Sequence, residues 1–145
     1  MASLMNLAKN GIMAMIAADS DLSGSVQGCF FIKQPPHPAK PYIRVEWLGG
    51  GRSHAFKSAC RASSGEFMVF FHVFSDGGDT PGASTEAETI ASYIHAVFDG
   101  GELSISGYKT ITLVRDTEDD LALEDDTKLW HLIARYRGRA NPSAS

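Results

Sequence analysis

Glu66-Phe-Met-Val-Phe-Phe-His-Val-Phe-Ser-Asp76 is the stretch that decides the fold of this 145-residue chain. A strand with one face on a core and the other in water alternates apolar and polar residues. As a strand, this stretch carries Phe67, Val69, Phe71 and Val73 on one face and Met68, Phe70, His72 and Phe74 on the other. Both faces are apolar, and one layer of helices covers only one of them. The sequence therefore predicts a second cover, for which a neighbouring subunit is the simplest candidate.

The patterns toward the N terminus predict a helix and two strands. Apolar residues at three- and four-residue spacing indicate an amphipathic helix over 1–18. The predicted order then continues with a turn over 19–24, a short strand over 28–33, a proline-rich loop over 34–41 and an alternating strand over 42–48. The strand over 42–48 has Tyr42, Arg44 and Glu46 on one side and Ile43, Val45 and Trp47 on the other.

The patterns toward the C terminus predict a second helix and three more strands. The helix over 86–99 has Ser84 or Thr85 as its predicted cap and ends at Gly100-Gly101. Strands are predicted over 103–106, 108–116 and 128–137, and 140–145 is predicted to be a flexible tail. Since only one helix lies between strands, the fold class is α+β. We expect one domain over 1–139, a mostly antiparallel β-sheet with two α-helices packed on one face and long β-hairpin loops.

The bulk composition bounds the partners and the compartment. The chain is 43% hydrophobic and 21% charged, with a formal net charge of −4. This charge argues against coating nucleic acid by charge neutralisation. Cys29 and Cys60 have no partner motif, which favours a reducing compartment. No apolar run reaches the length of a membrane span and Met1–Asp19 lacks the features of a signal peptide, so a soluble protein made inside a cell is expected.

Two charged connections interrupt the strands. The connection over 49–65 is long and basic, with Arg52, Lys57 and Arg61 among small residues, and loops of this length are usually functional or disordered. Between Asp116 and Asp126 lie seven of the 17 acidic residues. This acidic segment lacks the glycine and the ligand spacing of an EF-hand loop, which favours a solvated, mobile hairpin tip. A functional alternative is that its acids, Asp119 and Asp120 among them, face a DNA passage and repel phosphates.

No constellation of catalytic residues emerges from the sequence. The histidines show no metal-ligand spacing, and His72 with His131 is better explained as a pair of sheet histidines at a subunit contact. Gly49-Gly-Gly-Arg52 is not a phosphate loop, no nucleophile elbow is present, and nothing supplies a base to Cys60. The sequence predicts a protein that is not an enzyme and has no cofactor or metal.

The order of motifs resembles the tail-terminator or tail-completion proteins of long-tailed bacteriophages and gene transfer agents. The resemblance covers about residues 3–138. Its markers are Pro41-Tyr42-Ile43, Phe71-His72-Val73-Phe74-Ser75, the helix Glu86–Phe98, the strand region at Arg115 and the last strand Lys128–Arg137. The long basic connection over 49–65 departs from the family pattern.

The resemblance implies a structural virion protein that forms a homohexameric ring at the neck. The ring ends polymerisation of the tail tube at its head-proximal end and joins the tail to the head connector. Implied partners are further copies of the chain, the tail-tube protein and the connector or adaptor protein. Genomic DNA passes through the lumen without sequence-specific binding, no membrane is involved, and assembly takes place in the host bacterial cytoplasm.

Eleven residues are the candidates for subunit or partner contacts. They are Phe70, His72, Phe74, His131, Arg52, Lys57, Arg61, Asp119, Asp120, Arg135 and Arg137. Apolar side chains suit the centre of such an interface and charged ones its rim. Two alternatives stay open: another virion ring component, such as a head-completion adaptor or tail-tube subunit, and a cellular binding or enzyme domain with a pocket beneath the Phe-rich strand.

Overall fold

The computed structural model describes residues 3–52, 65–76, 83–124 and 126–143. Its helices are α1 (Leu4–Ala18), α2 (Ser20–Ser25) and α3 (Thr85–Phe98). Its strands are β1 (Gly28–Phe31), β2 (Tyr42–Arg52), β3 (Gly65–Ser75), β4 (Glu102–Leu103), β5 (Ile111–Thr112), β6 (Val114–Arg115), β7 (Asp120–Leu123) and β8 (Trp130–Ala140).

A six-stranded sheet forms the centre of the fold. Its order is β1-β2-β3-β8-β6, and β7 pairs with β8 off this path. The β1–β2 pair is parallel and the other pairs of this sheet are antiparallel. β4 and β5 form a separate antiparallel pair. The predicted α+β class, with a mostly antiparallel sheet and two long helices on one face, is confirmed.

The Phe-rich strand lies in the middle of this sheet, between β2 and β8. Val45 pairs with Phe71, and Phe71 pairs with Ala134, so their side chains share one face. This inner face joins the buried stripes of α1 and α3 in one apolar core. Phe71 packs on Phe98 of α3 with ring centroids 4.7 Å apart. The helices thus cover the face that begins with Phe67, as one layer of helices must.

The helix ends differ in part from the predictions. The predicted turn over 19–24 is the short helix α2, because the Asp19 carboxylate accepts a hydrogen bond from the Leu22 N–H at 3.0 Å and caps a new helix. Ser84 occupies the cap position of α3, but its side chain makes no capping hydrogen bond. In the first turn of α3, Glu86 instead accepts a 2.5 Å hydrogen bond from the Ser75 hydroxyl, which ties the helix to β3.

The strand predicted over 108–116 is broken into β5 and β6. Between them the Leu113 N–H donates to the Gly101 carbonyl at 2.9 Å, and the Leu113 carbonyl accepts from the Gly100 N–H at 2.9 Å. Gly100 has a positive φ of 74°, which glycine adopts without strain. The residues that follow α3 therefore satisfy both backbone hydrogen-bonding groups of Leu113. At this residue the chain passes from the small sheet to the central one.

Several strands are longer than predicted. β2 continues to Arg52 and β3 begins at Gly65, so the basic connection comprises 53–64, which lie outside the described residues. β8 continues to Ala140, which is buried. Beyond it the Asn141 carbonyl accepts from Lys109 at 2.8 Å and the Ser143 N–H donates to Gly107 at 3.0 Å. The first residues of the predicted tail are thus bound to the turn before β5.

Candidate functional site

The sheet face opposite the helices, called the outer face here, is the candidate site. The cross-strand register assigns its side chains: Tyr42, Arg44, Glu46 and Leu48 from β2; Glu66, Met68, Phe70, His72 and Phe74 from β3; His131, Ile133, Arg135, Arg137 and Arg139 from β8. These side chains separate into two halves. The half near Phe74 is packed within the chain, and the half near Phe70 is open.

The first half is an aromatic and histidine cluster around Phe74, which we call the histidine cluster. The Phe74 ring stacks on Tyr42 at 4.8 Å and on His131 at 4.3 Å between centroids. His131 Nε2 lies 2.7 Å from His72 Nδ1. Phe74 is only 6% exposed and Leu129 packs against the same group. The expectation that this whole face needs a subunit cover is therefore wrong at Phe74, whose neighbours in the chain already bury it.

Charged and polar groups surround the two imidazoles. The Glu46 carboxylate accepts from Arg44 at 3.1 Å, and its other oxygen lies 3.2 Å from His72 Nε2 without the alignment of a hydrogen bond. Gln34 accepts from Arg44 at 3.4 Å and donates to the Tyr42 hydroxyl at 3.0 Å. The polar network therefore extends from His72 on β3 across β2 to Gln34, which lies in the segment between β1 and β2.

Burial sets the protonation of the histidine cluster. It lowers the pKa of His72, and Glu46 only partly offsets this. Burial also lowers the pKa of His131, and the negative charge of Glu124 partly offsets this effect. The short nitrogen–nitrogen contact needs one donor and one bare acceptor, so at least one of the two rings is not doubly protonated. The two strand histidines therefore meet within one chain, and their place at a subunit contact stays a prediction.

The second half is an apolar patch edged by arginines, which we call the arginine-edged patch. Leu48 is 53% exposed, and Met68, Phe70 and Ile133 are half-buried. The Arg135 guanidinium lies over the Phe70 ring, 5.9 Å from its centroid. Arg137 and Arg139 continue the row along β8 and are exposed. No helix covers this half among the described residues.

The acidic segment borders the outer face and is more ordered than predicted. Four of its residues form β7, which pairs with β8. Asp120 forms an ion pair with Arg135 at 2.6 Å, and Asp119 is only 18% exposed because it contacts His95 at 2.7 Å and Arg115 at 3.2 Å. The interpretation as a freely solvated tip is wrong for Asp119, which His95 and Arg115 hold, whereas Asp120 pairs with Arg135 but is 67% exposed.

The Asp119–His95 contact continues to a buried tyrosine. His95 Nδ1 is hydrogen-bonded to the hydroxyl of Tyr136, a residue with no exposed surface. The order carboxylate, imidazole, hydroxyl has the layout of a nucleophilic triad. Burial raises the pKa of Tyr136, however, and no substrate reaches a fully buried hydroxyl. Sequence reasoning missed this network, although His95 follows Ala91 by one turn on the apolar side of α3.

The predicted contact residues fall into three groups. Phe70, His72, Phe74, His131, Arg135 and Arg137 lie on the outer face, and Asp119 and Asp120 lie at its border. The backbone of Arg52 pairs with Gly65 at the end of β2. Lys57 and Arg61 lie outside the described residues, as do His54 and Cys60.

Other reactive groups are few in the described part of the chain. Burial raises the pKa of the Cys29 thiol to about 12, so that it stays protonated beside Met13. No three histidine, cysteine or acidic side chains in that part are arranged to hold a metal ion. None of its helices is long and apolar enough to cross a membrane.

Comparison with known proteins finds likeness in structure but not in sequence. No protein-family model matches the chain, and no curated protein matches it either. A chain in the virion of a native gene transfer agent particle superposes with a TM-score of 0.67 at 14% identity, covering 97% of this chain and 98% of that one. A second solved structure, of a protein with no functional name, gives a TM-score of 0.72 at 11% identity over 99% of this chain and all of the other. Nearly the whole chain therefore shares the fold of a chain in a gene transfer agent virion.

Proposed function

We propose that this protein is a structural subunit of a phage-like virion. Its fold is shared over nearly the full length of both chains with a component of a gene transfer agent virion. That likeness is the observation that carries the proposal. The arginine-edged patch adds support, since an uncovered apolar surface with a charged border is the composition of a protein interface.

The sites in the described residues favour a structural role over a catalytic one. The hydroxyl of the Asp119–His95–Tyr136 network is buried, and the Cys29 thiol is held protonated. The two imidazoles of the histidine cluster bond each other, and His131 stacks on Phe74. These groups stabilise the fold, and the exposed outer face is left for binding other proteins.

Within the virion we assign the chain to a ring at the head-proximal end of the tail tube. The sequence markers of tail-terminator proteins support this position. A ring of six copies would end polymerisation of the tube, contact the tail-tube protein and the head connector, and let DNA pass through its lumen. The exposed carboxylate of Glu118 fits a surface that does not retain DNA.

Particles made without this protein test the role directly. We expect electron micrographs to show tails of uncontrolled length, or filled heads separate from tails. Restoring the gene should restore joined particles of uniform length. Intact particles of normal tail length in its absence would show that the chain does not terminate tails.

A second position in the virion is supported by the same likeness, because the matched chain is described only as part of the particle. The protein would then be a head-completion adaptor or the tail-tube subunit. Self-assembly separates the two roles. Purified tube subunits grow into long polymers, whereas a terminator stops at closed rings, and both products are distinguishable in negative stain.

A further inference from the structure

Two exposed surfaces of opposite charge remain after the fold has been accounted for. One is the arginine-edged patch on the outer face. The other is the border formed by β7 and its flanking residues, which we call the acidic edge, with Glu118, Leu121 and Asp126 exposed. Each surface combines an exposed leucine with charges of one predominant sign. β7 pairs only with β8, so its second edge has no strand partner among the described residues.

We propose that the arginine-edged patch binds the acidic edge of a second copy of this chain. The proposal rests on the proposed virion function, in which copies of the chain form a ring, and it assigns the surfaces that meet. Leu48 and Phe70 on one copy would pack against Leu121 on the next. Arg137 and Arg139 of the first copy would pair with Glu118 and Asp126 of the second.

Charge on each surface is only partly balanced within the chain. Arg137 is 65% exposed, and its only ion partner among the described residues, Asp116, lies 3.9 Å away. Arg139 makes no ion pair in the same residues, although Glu66 lies directly across from it. On the acidic edge, Glu118 is 95% exposed and, within the described part of the chain, contacts only Arg115, at 3.4 Å. Both surfaces therefore keep charge that a partner of opposite sign can neutralise.

The geometry favours a repeating contact. The patch lies on the outer face across β2, β3 and β8, whereas the acidic edge lies beyond β8 at the border of the sheet. Different surfaces in one contact make it heterologous, and such a contact closes into a ring when the rotation between copies permits. Nucleic acid is a poor occupant of the patch, since Glu66 and the Arg135-bound Asp120 share its face.

A charge-swap experiment with the full chain tests the contact. The basic-side variant carries Arg137→Glu and Arg139→Glu, and the acid-side variant carries Glu118→Lys and Asp126→Lys. We expect each variant alone to self-associate at least about tenfold more weakly than the wild type in sedimentation velocity at low salt. An equimolar mixture should associate again, because the acidic edge of the first variant meets the intact patch of the second.

Control variants and a folding assay show whether a loss of self-association is specific to the proposed contact. Lys33→Glu with Lys109→Glu makes the same charge change at exposed positions outside both surfaces and should leave association unchanged. Thermal melting of every variant shows whether the fold survives. Phe70→Ser, which changes no charge, should weaken association in the same assay. Mixing it with the basic-side variant should not restore association, because the patch is damaged in both.

The outcomes separate this contact from the virion function. A wild type that stays monomeric at high concentration, or variants that assemble as well as it does, would overturn the proposed contact. A basic-side variant that self-associates normally but no longer binds tail-tube subunits would show that the patch serves another protein. Electron micrographs of particles made without the protein test the virion function independently of these association measurements.

Discussion

His72 Nδ1 and His131 Nε2 lie 2.7 Å apart on the outer face, on two strands that are adjacent in the sheet although 59 residues separate them in the chain. Neither ring is free to take up a proton without consequence. If both became doubly protonated, two donors and two positive charges would face each other, with Arg44 also close by. Phe74, stacked on His131, would lose part of its cover.

The histidine cluster predicts that stability falls as the pH is lowered from 7.5 to 5.5. Burial lowers the pKa of His72 and His131 in the folded state, whereas in the unfolded chain each titrates near its ordinary value of about 6.5. Below that value the unfolded chain binds more protons than the folded one, so the free energy of unfolding decreases. Urea denaturation at a series of pH values measures this loss.

His131→Phe separates the cluster from other titrating groups. The substitution keeps a ring against Phe74 but removes one imidazole, so we expect a shallower decline over the same pH range. His37→Asn is the matched control, because His37 is exposed with a positive φ of 51°, which asparagine tolerates. An unchanged pH slope in His131→Phe would contradict the assignment.

Phe74→Ser and Phe70→Ser should differ, although both side chains lie on the same face of β3. Phe74 is packed between Tyr42 and His131, so its truncation should cost about 3 kcal/mol of stability. Phe70 is half-buried beneath Arg135 and should cost about 1 kcal/mol. Urea unfolding measures both, and equal losses would show that the two halves of the outer face are packed alike.

Tyr136→Phe tests the buried network under the acidic segment. Removing the hydroxyl leaves His95 Nδ1 without its partner, at a cost of about 1–3 kcal/mol. Asp119→Asn removes the negative charge that lies beside the other nitrogen of the same imidazole, Nε2. In a double-mutant cycle the two losses should not add, since both act through His95. Strict additivity would mean that the hydroxyl and the carboxylate are independent.

Gly138→Ala should destabilise the fold because of a close approach in the core. A Cβ at this position would meet the Phe67 ring at 2.6 Å and the Leu113 side chain at 3.0 Å. Such overpacking costs about 1–3 kcal/mol. Gly24→Ala in α2 is the control, since no atom lies within 4 Å of the added carbon and alanine favours helix by about 1 kcal/mol. Opposite shifts in melting temperature are expected.

Alternation along the strands predicted the sheet and its two faces but not what covers the second one. The period of two predicted that Phe71 shares a face with Phe67, but both faces are apolar, so the sequence did not show which of them meets the helices. The cover of Phe74 depends on Tyr42 and His131, whose positions are set by the pairing of β3 with both neighbours. Such cross-strand partners are distant in sequence, and no local pattern specifies them.

The acidic segment likewise shows that a local sequence pattern does not predict contacts with residues distant in the chain. Its composition predicted a solvated tip, because charge density dominates a local pattern. The partners that hold it, His95 and Arg135, come from α3 and β8. Likewise the turn-forming residues of 19–24 predicted a turn where the structure has α2, although Asp19 is a good cap for a helix that follows.

The position of β8 has a consequence for the making of the protein. This strand is near the C-terminal end of the described chain, yet it lies inside the sheet and pairs with β3, β6 and β7. During synthesis the Phe-rich strand is without one of its two neighbours until the residues from Trp130 onward have emerged. A nascent or prematurely ended chain thus exposes an apolar strand edge, which invites aggregation. Only chains translated through β8, which ends at Ala140, can complete the outer face.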